Sequence, residues 1–192
     1  MNLPNKLTIF RILLIPVFML LTSFDLAWGY LEMNGQSLSW QLLLAALIFA
    51  GASFTDWLDG YIARRDQLVT NFGKFADPLA DKMLVATAMI QLVALNLAPA
   101  WLVSIIIMRE LAVTGLRLLL VQDGEVMAAA WPGKVKTFTQ MLAVILLLVN
   151  DIPFNFLPIS LGQLCLYLAL IFTLYSGIDY FVKNKHVFAD GL

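Results

Sequence analysis

Four aspartates offer the clearest chemistry in this 192-residue chain: Asp56 and Asp59, then Asp77 and Asp81. At about 100° per residue, Asp56, Asp59, Gly60 and Ala63 share one arc of a helix, a face that is acidic and unusually small. Asp77 and Asp81 stack one turn apart on the helix that a short loop folds back beside it, so four carboxylates can converge on one point. Near a bilayer such convergence is unfavourable unless cations neutralise it, because like charges repel and desolvation adds to the penalty. Hard carboxylate oxygens without nearby His or Cys favour Mg²⁺ or Mn²⁺ over zinc. Two ions ~4 Å apart would clamp a phosphate and stabilise the attacking and leaving oxygens of a displacement at phosphorus. Gly60 and Ala63 would let a bulky ligand approach the backbone, and Arg64 is placed to neutralise phosphate oxygens. The bland account is that each Asp caps a helix or is a solvated interfacial charge. Asp77 before Pro78 looks like an N-cap with proline at the first helical position, and that proline disfavours continuing Gly73 on the same helical face. One aspartate is readily explained this way; the full spaced set is not.

The elements that must hold these residues are apolar helices. Hydrophobic residues make up 61% of the chain and charged ones 13%, with a mean hydropathy of +0.85, which excludes an ordinary soluble domain and points to a bilayer. A net charge of -1 gives no reason to expect a nucleic-acid partner. Six stretches approach the ~20 residues that a spanning helix needs: 3–24, 38–64, 75–96, 99–121, 133–150 and 158–182. Turn chemistry separates them at Met33-Asn34-Gly35, Asn96 to Pro99, Asp123-Gly124 and Asn150 to Pro158. The basic start of the chain leads into an apolar run that lacks a small-residue cleavage signal, so it reads as a retained first span. With no internal repeat or linker, the expectation is an all-α polytopic membrane protein, six transmembrane helices in one bundle, forming a single domain over 1–192. All twelve Lys and Arg fall at or near the N-terminus, 65–74, 122–132 and the C-terminus, and the opposite loops have none. The positive-inside rule then makes both termini, and the aspartates with them, cytoplasmic.

Written as a pattern, the aspartate segment is D-x2-D-G-x2-A-R-x8-G-x3-D-x3-D, running from Asp56 to Asp81. It resembles, without a departure, the signature of the CDP-alcohol phosphatidyltransferases, and with the six-helix count the likeness covers nearly the whole chain. The resemblance implies that the alcohol hydroxyl displaces CMP from a CDP-linked lipid. It also implies that Asp56, Asp59, Asp77 and Asp81 bind two metal ions, Mg²⁺ or Mn²⁺, and that Asp81 is the general base. Gly60, Arg64 and Thr70 would contact the cytidine diphosphate moiety of CDP-diacylglycerol, with Ala63 and Gly73 as further motif positions of that binding face. Asn5 and Thr8 of the Pro-Asn-x-x-Thr start would close over the same ligand. It further implies a multi-pass enzyme of the inner (plasma) membrane, its active site facing the cytoplasm, and a homodimer. Positioning and charge neutralisation by two metals and Arg64 are what phosphoryl transfer needs.

Acceptor choice rests on cations among apolar neighbours. Arg109 interrupts an apolar run and Arg117 follows two turns later, about 80° around the helix. An arginine inside a membrane is costly and usually functional; the bland alternative is a salt bridge with Glu110 or a nearby Asp. Gly133-Lys134-Val135-Lys136-Thr137 resembles the Gly-Lys-x-Lys-Thr element of the family's branch that uses glycerol 3-phosphate, and its bland reading is a positive-inside flank. Together Arg109, Arg117, Lys134 and Lys136 are too much positive charge for choline, ethanolamine or serine and suit a phosphorylated acceptor. Lys134 and Lys136 point about 200° apart on a helix, and Lys134 is favoured as the closer to the phosphate. Inositol phosphate and phosphatidylglycerol are alternative acceptors. A small ion transporter is the alternative of another class, although its charges should lie at the midplane and often in repeated halves.

The remaining residues read blandly. Cys165 is a buried thiol, His186 lies in the tail, Asp179 is ambiguous and could pair with a basic residue of the bundle, and the eight methionines fill the core. Trp28, Tyr30, Trp40, Trp101 and Trp131 fall where an interfacial aromatic belt would put them.

Overall fold

The computed structural model describes residues 2–33, 36–65, 70–122, 131–154 and 158–185, and within these the side chains of 3–4, 33, 57–65, 71, 74, 121–122 and 153 lie outside the described set. Six long helices carry the chain: α1 Leu3–Ser23, α2 Trp40–Arg65, α3 Asn71–Ala94, α4 Ala100–Gln122, α5 Trp131–Leu148 and α6 Leu161–Lys183. A short 3₁₀ turn, Ile152–Phe154, precedes α6. One feature departs from the all-α expectation. The connection between α1 and α2 folds as an antiparallel hairpin, β1 Tyr30–Met33 against β2 Gln36–Ser39, with Tyr30 opposite Ser39 and Met33 opposite Gln36. Its Asn34-Gly35 had marked a turn, and alternating polar and apolar residues on either side suit a two-stranded ribbon.

Helix ends follow local chemistry. Asn96 and Asn150 adopt left-handed backbone at φ 58° and 53°. At the first, Leu97 N–H reaches back to the Leu92 carbonyl and Asn96 N–H to Val93; at the second, Asp151 and Asn150 do the same to Leu146 and Leu147. Both α3 and α5 thus end in the asparagine form of the Schellman closure. Ser160 caps α6 by accepting the Gln163 N–H at 3.1 Å. Thr70 caps α3, accepting the Gly73 N–H at 3.0 Å. That cap overturns the expected start at 75 and the reading of Asp77 as an N-cap: α3 begins at Asn71, Pro78 lies inside it, and Gly73 and Asp77 belong to one helix.

Helix α1 packs on α2 and α3, α5 on α6, and α4 on α6, while α2 and α3 also meet α5. Direct contact between α4 and α5 is slight, so a gap opens between them on the side facing α3. Phe18 and Phe49 are fully buried with ring centroids 6.1 Å apart, and Ala45, Ala46, Ala52 and Ala88 let the helices approach closely. Large apolar side chains also cover the outside, among them Leu13, Leu47, Ile90, Met108, Leu118, Phe138 and Ile178. So continuous an apolar exterior is unfavourable in water and suits lipid. By length and composition, α1 over Asn5–Ser23 and α6 are apolar enough to cross a membrane, and α2 has a shorter apolar stretch, Trp40–Asp56. Helices α2, α3 and α4 bear more charged residues than α1 or α6, and α5 adds Lys134 and Lys136. Trp28, Tyr30, Trp40, Trp101 and Trp131 are all exposed. Asp179 pairs with Lys183 one turn along α6 at 2.8 Å, Cys165 is partly buried against the core, and His186 lies outside the described residues.

Candidate active site

Three residues on one face of α1, spaced at i, i+3 and i+6, organise the aspartates. Arg11 is fully buried; its Nη1 donates to Asp56 Oδ1 at 2.6 Å and its Nε to the Ala52 carbonyl at 3.2 Å, one turn earlier on α2. The pairing holds a carboxylate that would otherwise face other carboxylates, since Asp56 lies within electrostatic range of Asp77 and Asp81. The buried Thr8 hydroxyl donates to Asp77 Oδ1. Asn5, also buried, accepts through Oδ1 from the Thr70 hydroxyl at 3.0 Å, and that hydroxyl in turn accepts from Gly73 N–H. The first turn of α3 is therefore clamped to α1. A Cβ on Gly73 would stand 3.2 Å from Asn5 Oδ1, 3.3 Å from Thr70 Oγ1 and 3.5 Å from Asp77 Oδ2. A larger residue there would crowd Asp77 and close the space beside it.

Asp81, one turn beyond Asp77, differs from its neighbours: its Oδ1 is buried and has no hydrogen-bond partner among the described residues. It lines a cavity of about 370 Å³ between α3, α4 and α5, together with Lys82, Glu110, Thr114, Lys136 and Gln140. Lys136 is buried, and its Nζ lies 2.6 Å from Glu110 Oε1. Arg109 Nη1 reaches the same oxygen at 3.0 Å, while Nη2 donates to Ser176 Oγ of α6 at 2.7 Å and the guanidinium sits 5.8 Å from the Tyr180 ring centroid. Gly177 makes room for this arginine, since a Cβ there would come within 3.1 Å of Arg109 Cγ. Lys82 Nζ donates to Thr114 Oγ1 at 2.5 Å. One cavity thus joins an aspartate of the motif to a cationic wall, and Glu110 ties that wall together across the gap between α4 and α5.

The cationic expectations divide. Helix α5 is regular from Trp131, so Lys134 and Lys136 point apart; Lys134 is exposed and Lys136 faces the cavity. Lys134, favoured from the sequence as the closer to a phosphate, does not line this cavity. Arg109 makes the salt bridge with Glu110 that stood as its bland reading, yet it does so beside the cavity, while Arg117 is exposed. Asp59, Gly60, Ala63 and Arg64 lie on α2, and their side chains are outside the described set.

The family model described as CDP-alcohol phosphatidyltransferase matches residues 1–175. The chain belongs to the CDP-alcohol phosphatidyltransferase family. Among its relatives, a CDP-diacylglycerol--glycerol-3-phosphate 3-phosphatidyltransferase of Bacillus subtilis (strain 168) is 52% identical over 183 residues, covering 95% of each chain. A protein of the same name from Pseudomonas fluorescens is 40% identical, covering all of this chain and 94% of its own. A probable phosphatidylglycerophosphate synthase of Mycobacterium tuberculosis (strain ATCC 25618 / H37Rv) is 37% identical over 95% of this chain and 81% of its own. The family is membrane-associated and generally uses divalent metals.

The residues present fit such ions in chemistry. Among the described residues no three carboxylate, imidazole or thiol groups are gathered as a metal-holding set, with Asp59 outside that comparison. The donor type is nonetheless right, and a buried carboxylate oxygen without a partner at Asp81 is unfavourable unless a cation or proton donor meets it.

Sequence reasoning passed over Arg11, Lys82, Glu110 and Gln140 as site residues. Arg11 had a usable signal, a charge inside the apolar run Ile9 to Val17 at helical spacing from Asn5 and Thr8. Gln140 had one too, since it falls one turn from Lys136.

Arg11 is fully buried but the Asp56 side chain is 33% exposed, so breaking this pair costs on the order of 1–3 kcal/mol, between the surface and the fully buried cases. Arg11→Met is expected to lower the melting temperature in detergent clearly, and Arg11→Met/Asp56→Asn to recover part of the loss. A double variant no more stable than Arg11→Met would show that the pair does not hold α1 to α2.

Proposed function

We propose that this chain is a six-span enzyme of the inner (plasma) membrane, one domain over 1–192 working as a homodimer, with its termini and active site on the cytoplasmic side. It transfers the phosphatidyl group of CDP-diacylglycerol to glycerol 3-phosphate, forming phosphatidylglycerophosphate and CMP. The observation that carries this reading is the single cavity that holds Asp81 on one wall and Lys136 on another. A hydroxyl and a phosphate of one small acceptor can be met there together. The names of the relatives from B. subtilis and P. fluorescens supply the same donor and acceptor.

In the reaction the acceptor's free primary hydroxyl oxygen forms a bond to the lipid-linked phosphorus of CDP-diacylglycerol. The bond from that phosphorus to the bridging oxygen breaks, and CMP leaves with the bond's electrons. Asp81 takes the hydroxyl proton. Two divalent ions, Mg²⁺ or Mn²⁺, held by Asp56, Asp59, Asp77 and Asp81, would neutralise the phosphate oxygens and acidify the attacking hydroxyl. Arg11 and Thr8 keep Asp56 and Asp77 aimed by occupying one oxygen of each. Arg64 neutralises the diphosphate, and Asn5, Thr70 and Gly73 shape the space beside it, with Gly60 and Ala63 clearing the approach along α2. Lys136 and Arg109 bind the acceptor phosphate, and the exposed Lys134 and Arg117 add positive charge at the entrance. Proximity makes an ordinary carboxylate an adequate base, because the reacting groups are held in place.

Purified protein supplied with CDP-diacylglycerol and Mg²⁺ or Mn²⁺ is expected to release CMP only when glycerol 3-phosphate is added, with labelled phosphatidylglycerophosphate as product. Equal release without it, or a preference for inositol phosphate or phosphatidylglycerol, would overturn the acceptor assignment. Asp81→Asn should lower turnover at least ~100-fold, in the range for loss of a general base, while the protein still assembles. Lys136→Ala should raise the acceptor KM by about tenfold, as for a lost charge-assisted hydrogen bond, and more than Lys134→Ala does. The opposite order would return the phosphate to Lys134.

A further inference from the structure

Gln140 is a polar side chain that the reaction as described does not use. It lies on α5 one turn beyond Lys136, is only 2% exposed, and lines the cavity that also holds Asp81. Its Oε1 is buried with no hydrogen-bond partner among the described residues. Leaving such an acceptor dry costs free energy, and evolution of an apolar bundle has an easy alternative in leucine or methionine. Much of the rest of the cavity wall is apolar, from Leu79, Met83, Ile106, Ile107 and Met141. A polar atom placed among these, in the cavity that Lys136 and Asp81 also line, marks where a ligand can present a hydrogen-bonding group.

We propose that Gln140 is a specificity-determining residue that hydrogen-bonds the secondary hydroxyl of the acceptor, the one neither phosphorylated nor attacking. The inference rests on the reading of the cavity as the acceptor site. With the phosphate on Lys136 and Arg109 and the primary hydroxyl at Asp81, the carbon between them carries its hydroxyl in the middle of the cavity, and α5 supplies Gln140 to that stretch. A hydroxyl is both donor and acceptor, so it satisfies the amide in either orientation of its oxygen and nitrogen. An acceptor lacking that hydroxyl would leave the amide buried and unpaired, which is the arrangement by which sites reject deoxy analogues.

The test compares glycerol 3-phosphate with 3-hydroxypropyl phosphate, which keeps the phosphate and the primary hydroxyl and lacks the secondary one. With the full-length wild-type protein in detergent, kcat/KM is expected to be about tenfold or more lower for the deoxy acceptor, as for one unpaired buried group. Gln140→Met, which preserves length and bulk, should reduce that ratio to about twofold by lowering the rate with glycerol 3-phosphate while leaving the deoxy acceptor little changed, as volume-conserving swaps allow. Gln140→Asn, which keeps an amide, should retain more discrimination than Gln140→Met. A purely structural Gln140 would change both acceptors alike and leave the ratio at its wild-type value, which would overturn the proposal. Wild-type protein that uses both acceptors equally well would overturn it without any variant. Wild-type protein that uses neither would instead refute the functional reading beneath it.

Discussion

Uncompensated charge is not tolerated where water is scarce, and this constraint shapes the end of the molecule that carries the aspartates. Asp56 meets Arg11, Asp77 meets Thr8, and Glu110 gathers Lys136 and Arg109 on a single oxygen. Apart from Arg109 with Glu110, both on α4, each pairing links different helices, so the electrostatic solution is also a structural one. Helix α1 is fastened to α2 through Arg11 and to α3 through Asn5 and Thr8, while α4 is fastened to α5 and α6 through Glu110 and Arg109. Loss of an interhelical partner removes a link between helices, which is why such contacts specify one arrangement even where their net contribution to stability is small.

The same logic explains which groups remain available for chemistry. Asp81 and Gln140 each have a buried oxygen without a partner among the described residues, and both line the cavity. Arg109 Nε, Ser53 Oγ and Thr173 Oγ1 are likewise buried without a partner among the described residues, but of the five only Asp81 and Gln140 line the cavity. The cavity exists because α4 and α5 both lean on α6 and touch each other little. Glu110 spans that gap through Lys136.

Much of this was legible in the sequence. Helix limits were close because apolar runs and turn residues coincide, with Asn96 and Asn150 closing α3 and α5 as their identity suggested. The aspartate spacing identified the family. What the sequence obscured were choices made by tertiary contacts. Pro78 invited a helix start at Asp77, whereas the Thr70 hydroxyl, held by Asn5 from α1, starts α3 earlier. Lys134 and Lys136 are equivalent by composition, and only the regular turn of α5 facing Glu110 separates them. Arg11 looked like one flanking cation among several until its burial against Asp56 gave it a specific place. Local signals thus determine elements, while the partner across a helix pair determines which of two similar residues enters the site.

The central claim is that the aspartates and the cationic cavity form one site, with the acceptor held between them. A crystal structure of the protein with Mn²⁺, glycerol 3-phosphate and a non-reacting CDP-diacylglycerol analogue, recorded with anomalous scattering from manganese, tests it most directly. The account predicts manganese among Asp56, Asp59, Asp77 and Asp81 and the acceptor phosphate within hydrogen-bonding reach of Lys136. Manganese elsewhere, or an acceptor phosphate outside the cavity between α3, α4 and α5, would contradict it.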